Sequence, residues 1–219
     1  MLTVYGVYRS RATRLFWLIE ELGIAFTQVP VIQAYRLDDP MAADAPLNTR
    51  SPDFLRVNPF GAIPTIDDDG LVLHESLAIP LYLAKKHGGP LGPADLAEDA
   101  LMLQWSLFAA TEIEANALKL YYLCAEGRLD HEAGKAVAKA LVRLLDRPLK
   151  ALAARLADHP FLVGDRFTVA DINVAEIVRY ASSHAPVMHA HPVVAAWLKH
   201  CQARPAFQAM WARREAEAL

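Results

Sequence analysis

The feature that most constrains this 219-residue chain is a change of hydrophobic pattern around residues 87–93. This segment, His-Gly-Gly-Pro-Leu-Gly-Pro, concentrates the two residue types that most often interrupt regular structure. Strand-like and helical patterns alternate before it, whereas apolar residues recur only at helical spacing after it. We therefore expect a mixed domain at 1–87, a linker at 88–94 and an all-helical domain at 95–219.

The first domain begins with a strand, a helix and a second strand. Residues 2–5 and 26–31 have strand-like sequence. The residues between them carry apolar side chains at helical spacing, namely Ala12, Leu15, Phe16, Ile19 and Leu22. Such a unit has parallel strands joined by a right-handed crossover. Ser10 is placed to cap the helix, and Gly23 is placed to end it.

A loop, a short helix, a hairpin and a further helix complete this domain. Residues 33–50 contain several breakers and predict a long exposed loop. After the short helix, residues 63–66 and 71–73 flank the turn Asp-Asp-Asp-Gly, which is typical of an antiparallel hairpin. Ser76 is placed to cap the last helix. The predicted order is βαβαββα.

The charge balance disfavours partners that are recognised by long-range electrostatics. The chain has 22 Lys and Arg residues and 25 Asp and Glu residues, with a formal net charge of -3. We therefore expect it to bind neither nucleic acid nor a membrane. No apolar stretch reaches the roughly 18 residues of a membrane span, and the N-terminus has no secretory-signal pattern. These features predict a cytoplasmic protein.

Cysteine and histidine spacing does not indicate a metal site. Cys124 and Cys201 are far apart in helical sequence, which favours buried thiols over a disulfide or a redox motif. His184, His189 and His191 form a local cluster, but they have no cysteine or carboxylate partner at ligand spacing. We expect these histidines to lie at the surface and the protein to hold no metal.

The second domain shows helical periodicity in five segments, at 95–126, 131–158, 168–183, 193–203 and 205–215. Thr168 and Asp171 have the spacing of a capping box at the start of the third segment. Phe167 and Ile172 are placed to form a hydrophobic staple across it. The pattern predicts a well-nucleated helix.

Several short motifs, in this order, resemble those of the soluble glutathione transferases. They are Tyr5-Gly6 with Arg9-Ser10-Arg11, Ser51-Pro52-Asp53-Phe54, Asn58-Pro59-Phe60-Gly61-Ala62-Ile63-Pro64, Glu75-Ser76-Leu77-Ala78-Ile79 and Phe167-Thr168-Val169-Ala170-Asp171-Ile172. Together they cover nearly the whole chain, although each alone is weak. The chain is similar to the bacterial, serine-containing type of this family. The resemblance implies an α+β thioredoxin-like domain that binds glutathione and an all-α domain that forms the pocket for an electrophile.

The resemblance also implies which residues bind glutathione. Ile63, before a cis Pro64, would pair through its backbone with the cysteinyl part, as an added strand does. Glu75 would bind the ammonium of the γ-glutamyl group and Ser76 its carboxylate, at a helix N-terminus. Arg50 would bind the glycine carboxylate. The alternatives are a simple capping role for Ser76 and a solvated loop charge at Arg50.

A glutathione transferase must stabilise the thiolate, because a free thiol has a pKa of about 8.5. A hydroxyl at the N-terminal end of the first helix stabilises it by a hydrogen bond and through the helix dipole, and Ser10 occupies that place. Tyr5 aligns with the tyrosine that activates the thiol in some animal members. The alternative role for Tyr5 is packing in the core. Ser10 is the favoured activator. The absence of cysteine near this helix disfavours the members that form a mixed disulfide with glutathione.

The pocket for the second substrate is expected to be lined by Tyr8 and by side chains of the helical domain, namely Trp105, Phe108, Thr111, Glu112 and Tyr180. Aromatic residues at such spacing are more often core residues.

The resemblance further implies a homodimer with the site beside the subunit interface. The expected activity is conjugation of glutathione to small hydrophobic electrophiles. The alternatives are a glutathione-dependent peroxidase or disulfide reductase, and a non-catalytic scaffold or stress protein.

Overall fold

The computed structural model describes residues 1–217, and the chain divides into two compact units. The first unit comprises Met1–His87 with the C-terminal segment from Pro205 onward, and the second comprises Gly88–Arg204. The first unit contains both strands and helices, and the regular elements of the second are helices. This composition confirms the predicted α+β domain followed by an all-α domain.

A four-stranded mixed sheet forms the centre of the first unit. Its strands are β1 (Leu2–Tyr5), β2 (Phe26–Val29), β3 (Thr65–Asp68) and β4 (Leu71–His74), in the spatial order β2-β1-β3-β4. β1 pairs in parallel with β2 and antiparallel with β3, and β3 and β4 form the predicted hairpin. Val4 and Ile66, opposite each other on the two central strands, are completely buried. The βαβ unit and the hairpin therefore share one sheet and one core.

The helices of this part are α1 (Thr13–Leu22), α2 (Pro52–Val57) and α3 (Ala78–His87). α1 ends as predicted at Gly23, which has the left-handed conformation φ 63°, ψ 33°. At its other end the Ser10 hydroxyl accepts from the N–H of Ala12, as expected of a cap, but Ser10 is not the N-cap residue. The N-cap is Ala12, which offers no side-chain oxygen, and Ser10 lies in the turn before it. α3 likewise begins two residues after Ser76.

The C-terminal boundary also differs from the prediction. The last helix, α10 (Pro205–Ala216), was predicted to belong to the helical domain but packs against α1 in the first unit. Phe207 and Met210 of α10 are 4% and 0% exposed, and the Phe207 ring meets Trp17 of α1 edge-on at 4.8 Å. Burial of these apolar side chains accounts for the docking. The predicted domain end at residue 219 lies outside the described residues.

One buried amide holds together the second half of the loop at 33–50. It contains a single 3₁₀ turn, Ala34–Arg36. Asn48 is completely buried, and its Nδ2 donates to the carbonyl oxygens of Pro40 and Pro46. Its Oδ1 accepts from the backbone N–H of Arg50. These bonds satisfy three backbone polar groups of a segment whose structure is mostly irregular.

The second unit is entirely helical in its regular elements. They are α4 (Leu96–Phe108), α5 (Ala115–Ala125), α6 (Glu132–Asp158), α7 (Val169–Ala181), α8 (Ala185–Ala190) and α9 (Pro192–Gln202). Residues Ala109–Glu114, between α4 and α5, are wound as a π-helix. α7 is the central element, buried along most of its length and packed on α4, α5 and α9. No helix within residues 1–217 combines the length and the apolar character needed to cross a membrane.

Asp171 organises the start of α7. The predicted capping box with Thr168 is present, and the carboxylate accepts hydrogen bonds from the N–H and the hydroxyl of Thr168. Its other oxygen accepts from the backbone N–H of Leu162 and from Nε1 of Trp197, each over 3.1 Å. Asp171 is completely buried, and desolvation raises its pKa to about 6 against the opposing effect of these donors.

The predicted linker is held by an arginine of the second unit. Arg166 donates to the carbonyl oxygens of Pro90 and Gly92 and pairs with both carboxylate oxygens of Glu98. The bonds from Arg166 and from the N–H of Ala94 lower the pKa of Glu98 to about 2. Arg166 thus links the carbonyl groups of residues 90–92 to Glu98 at the start of α4.

Candidate active site

The turn after β1 carries the predicted thiol activator. The Ser10 hydroxyl donates to the carbonyl oxygen of Val7 over 2.7 Å and accepts from the N–H of Ala12 over 3.0 Å. Ser10 is half-buried and lies three residues before the first residue of α1. Its oxygen is therefore close to the end of a helix where unpaired N–H groups and the helix dipole favour negative charge.

Tyr5, the alternative activator, is the last residue of β1. It pairs in register with Val29 on β2 and with Thr65 on β3, next to Pro64. Its ring is half-buried, with its centroid 6.3 Å from that of Phe54 in α2. Tyr5 and Ser10 thus lie at the same end of the sheet, one on the strand and one in the turn.

The Ile63–Pro64 peptide bond is cis, and this segment lies against the β1–α1 turn. A Cβ placed on Gly6 would lie 3.6 Å from the Cβ of Ile63 and 3.6 Å from that of Ala12. Asn58, 1% exposed, holds the segment by donating from Nδ2 to the carbonyl of Ala62 and to Oγ1 of Thr65. The cis segment and the Ser10 turn are therefore neighbours.

Glu75 and Ser76 form the turn that leads into α3. Glu75 is exposed and has φ 74°, a left-handed conformation that is uncommon for a side chain of its size. Ser76 is buried, and its Oγ accepts a hydrogen bond from Nη1 of Arg14 over 3.0 Å. Because Arg14 lies in α1, this bond connects the turn to the helix that begins beside Ser10.

The roles of three residues at this site were not predicted from the sequence. Arg14, on α1, is completely buried. Helical spacing alone did not predict a buried cation at this position. Asn48 and Asn58 each order a loop that bears predicted ligands. The roles of the two asparagines could have been predicted from their position before turn sequences, because amide side chains there often bond to nearby backbone groups. Arg50 itself is exposed.

The predicted residues of the second-substrate pocket lie in both units. In the first, Tyr8 is 6% exposed, and its ring stacks on Phe16 at 3.9 Å. In the second, the half-buried rings of Trp105 and Phe108 meet edge-on at 5.6 Å, and Tyr180 is 7% exposed. This pocket stays a prediction.

Thr111 and Glu112, also predicted for that pocket, lie on the π-helical segment. The Thr111 hydroxyl donates to the carbonyl oxygen of Leu107 over 3.0 Å, and Glu112 forms an ion pair with Arg147. π-helical segments occur frequently at functional sites. The sequence did not predict this winding, because its apolar spacing is that of an ordinary helix.

The histidine cluster differs in part from its prediction. His189 is exposed and His184 is half-buried, but His191 is only 6% exposed. Burial lowers the pKa of His191, with Asp146 3.6 Å away acting in the opposite direction. Within residues 1–217, no three His, Cys, Asp or Glu side chains are grouped so that they could hold a metal ion. Cys124 and Cys201 are free thiols, the second of them buried.

Comparison with known proteins matches both parts of the chain to one family. Residues 8–86 match the glutathione S-transferase N-terminal domain and residues 100–205 match the C-terminal domain. Glutathione S-transferase 3 of Zea mays is 34% identical over 215 residues, covering 94% of this chain and 91% of that protein. A probable elongation factor 1-gamma 2 of Arabidopsis thaliana is 37% identical over 128 residues, covering 58% of this chain but only 30% of that protein.

Solved structures agree with this assignment. Glutathione transferase F7 of Populus trichocarpa superposes with a TM-score of 0.80 at 26% identity, covering 98% of this chain and 99% of that one. A glutathione S-transferase-I bound with lactoylglutathione superposes with a TM-score of 0.79 at 28% identity, covering 97% and 99%. With both family domains matched and the maize enzyme aligned over nearly its whole length, the chain belongs to the glutathione S-transferase family.

Proposed function

We propose that this chain conjugates glutathione to small hydrophobic electrophiles and that Ser10 stabilises the reacting thiolate, as in serine-containing bacterial members of the family. The observation that supports this proposal is the arrangement around α1. The Ser10 turn and the cis Ile63–Pro64 segment are neighbours on either side of Gly6, and Arg14 connects the same helix to Ser76.

The chemistry of the turn suits thiolate stabilisation. The Ser10 hydroxyl now donates to the carbonyl oxygen of Val7, but a hydroxyl rotates freely enough to donate to a sulfur placed beside it. The N–H of Ala12 already donates to the Ser10 oxygen, and this bond makes the hydroxyl a better donor. Both effects favour the thiolate over the thiol. Tyr5 remains the alternative activator.

The remaining predicted ligands fit a tripeptide with charged ends. The backbone of Ile63 would pair with the cysteinyl residue as an antiparallel strand. Ser76, whose oxygen accepts from Arg14, would donate to the γ-glutamyl carboxylate, and Glu75 would bind the neighbouring ammonium. Arg50 would bind the glycine carboxylate through its exposed guanidinium.

The electrophile would contact the half-buried rings of Trp105 and Phe108 and the adjoining Thr111 and Glu112. Aromatic edges with a few polar groups are typical of small-molecule sites. Tyr8 and Tyr180 would contribute little surface, since each is less than a tenth exposed.

We also propose a cytoplasmic homodimer. Each unit exposes large apolar side chains: Phe60 is 76% exposed in the first unit, and Leu103 and Leu107 are 49% and 54% exposed in the second. Exposed apolar groups of this kind often mark protein interfaces. Sedimentation at micromolar concentration should give the dimer mass, and replacing Leu103 with Asp should shift the population to monomer. A single monomeric species for the unmodified protein would contradict the proposal.

A non-catalytic role is the second candidate, and the similarity to an elongation factor supports it. The test is retention on immobilised glutathione followed by assays with a chromogenic aryl halide and with an organic hydroperoxide. Retention with aryl-halide conjugation supports the proposal. Turnover of the hydroperoxide alone would indicate a peroxidase, and neither retention nor turnover would indicate a scaffold.

A further inference from the structure

The backbone immediately before Ser10 is bound by a carboxylate from the far end of the chain. Oε1 of Glu217 accepts from the N–H of Tyr8 over 2.9 Å, and Oε2 accepts from the N–H of Arg9 over 2.8 Å. A carboxylate that accepts two adjacent backbone donors forms charge-assisted bonds, which are stronger than neutral ones. Both bonds are partly buried, so water competes less with them.

The other side of the Arg9 residue is bound as well. Its carbonyl oxygen accepts from Nε2 of Gln33 over 3.0 Å and from Nη2 of Arg36 over 2.8 Å. This carbonyl and the N–H of Ser10 belong to one planar peptide unit. Fixing the carbonyl therefore fixes the direction in which the chain enters Ser10.

The segment that bears Glu217 is itself anchored to α1. Arg213 of α10 forms an ion pair with Glu20 over 2.6 Å, and Nε of Arg9 donates to the carbonyl oxygen of Arg214 over 3.1 Å. Together with the apolar contact between Phe207 and Trp17, these bonds hold the end of α10 beside the turn. Glu217 follows directly on α10, so its position is defined by a docked helix.

From this arrangement we infer that Glu217 is a positioning residue for the reaction: it holds the Tyr8–Arg9 backbone in the form that presents the Ser10 hydroxyl to the glutathione sulfur. The inference rests on the proposed role of Ser10. The Glu217 carboxylate bonds to the backbone of Tyr8 and Arg9, so Glu217 acts through the turn. The C-terminal segment is thereby a functional part of the thiol-activating site, and its loss impairs thiolate formation more than glutathione binding.

The test compares Glu217→Gln with Glu215→Gln in the whole 219-residue chain. The Glu215 side chain lies in the same segment and accepts from Nε1 of Trp211, so this variant controls for the loss of a nearby charge. Hydrogen exchange of the Tyr8 and Arg9 amides reports on the turn. The thiolate absorbance of the glutathione complex, followed against pH, reports on activation.

We expect Glu217→Gln to speed exchange of the two amides by about tenfold, because glutamine keeps one acceptor oxygen where the carboxylate used two, and its NH2 group cannot accept from the second N–H. The thiol titration should move to higher pH, and kcat near pH 7 should fall by about three- to tenfold while the KM for glutathione stays within about twofold. Glu215→Gln should change none of these quantities.

Unchanged exchange would overturn the inference, since the turn would then not depend on Glu217. Faster exchange with an unshifted titration, in a protein whose titration does respond to Ser10→Ala, would also overturn it and leave Glu217 a purely structural role. If Ser10→Ala itself leaves the titration unchanged, the proposed function fails. In that case the exchange measurement still decides whether Glu217 holds the turn.

Discussion

The guanidinium of Arg14 donates a hydrogen bond to the hydroxyl oxygen of Ser76 across 3.0 Å, joining α1 to the turn before α3. Arg14 is completely buried and Ser76 is 9% exposed. Because the Ser76 oxygen accepts from a cation, its hydroxyl hydrogen is polarised and available for an anion. Ser76 thus has a structural partner in addition to its predicted ligand.

Ser76→Ala should therefore lower stability even without glutathione. Removing the oxygen deprives a buried guanidinium of an acceptor, which costs about 1 to 3 kcal/mol. Urea denaturation of the ligand-free protein measures the loss, and calorimetry with glutathione measures the separate loss of affinity. Ser182→Ala, at an exposed position, is the control. An unaltered free energy of unfolding would mean that Ser76 serves the ligand alone.

Asp171→Ala should weaken folding more than glutathione binding. The carboxylate accepts from four donors at the start of α7, and the variant leaves these buried groups without it. A lost cap costs up to about 2 kcal/mol, and the additional unsatisfied donors put this variant at the upper end of that range. Asp165→Ala, at an exposed carboxylate in the preceding loop, should be nearly neutral. Normal thermal stability with impaired glutathione affinity would contradict the assignment.

The same carboxylate should make stability depend on pH. Burial raises the pKa of Asp171 to about 6 in the folded protein, whereas an unfolded aspartate has a pKa of about 3.9. Between about pH 4 and about pH 6 the folded state binds a proton that the unfolded state releases. The contribution of Asp171 to the free energy of unfolding is therefore full below about pH 4 and is lost as the pH rises through about 6.

The measurement is the free energy of unfolding of the wild type minus that of Asp171→Asn, followed from pH 4 to 7.5. We expect this difference to fall with rising pH by an amount on the order of 3 kcal/mol, set by the shift of roughly two pKa units. A difference that grows with pH would mean that the four donors outweigh the burial and that the folded-state pKa is lowered.

The order of elements along the chain, the parallel βαβ pair and the β3–β4 hairpin could be predicted from the sequence because their signals are local, whereas the antiparallel pairing of β1 with β3 could not. Short runs that flank the Asp-Asp-Asp-Gly turn specify the hairpin, and Gly23 specifies where α1 ends. The capping box at Thr168 and Asp171 was predictable for the same reason, since its spacing is a property of four consecutive residues.

Interactions between distant residues could not be predicted in this way. Arg14 and Ser76 are 62 positions apart, and Tyr8 and Glu217 are 209 apart, so no periodicity connects them. The last helix was assigned to the wrong unit because its periodicity shows an apolar face but not the partner of that face. Ser10 was expected as a helix cap because residue type alone does not distinguish a cap from the turn just before it.

The thiol activator is tested by comparing Ser10→Ala with Tyr5→Phe. Ser10→Ala should raise the pKa of bound glutathione and lower turnover near neutral pH, because a hydrogen bond to a charged acceptor contributes roughly 1.5 to 3 kcal/mol, equivalent to about one to two pKa units. The thiolate fraction near pH 7 should fall severalfold or more. Activity should decrease without vanishing, since the dipole of α1 remains.

Glutathione affinity should change little in Ser10→Ala, because the backbone of Ile63 and the side chains of Glu75 and Ser76 are expected to hold the tripeptide independently. Tyr5→Phe should have a much smaller effect on the titration, since Tyr5 is a strand residue whose ring lies beside Phe54. The thiolate absorbance of each binary complex, recorded against pH, distinguishes the two roles. If Tyr5→Phe moves the titration and Ser10→Ala does not, Tyr5 is the activator and Ser10 only shapes the turn.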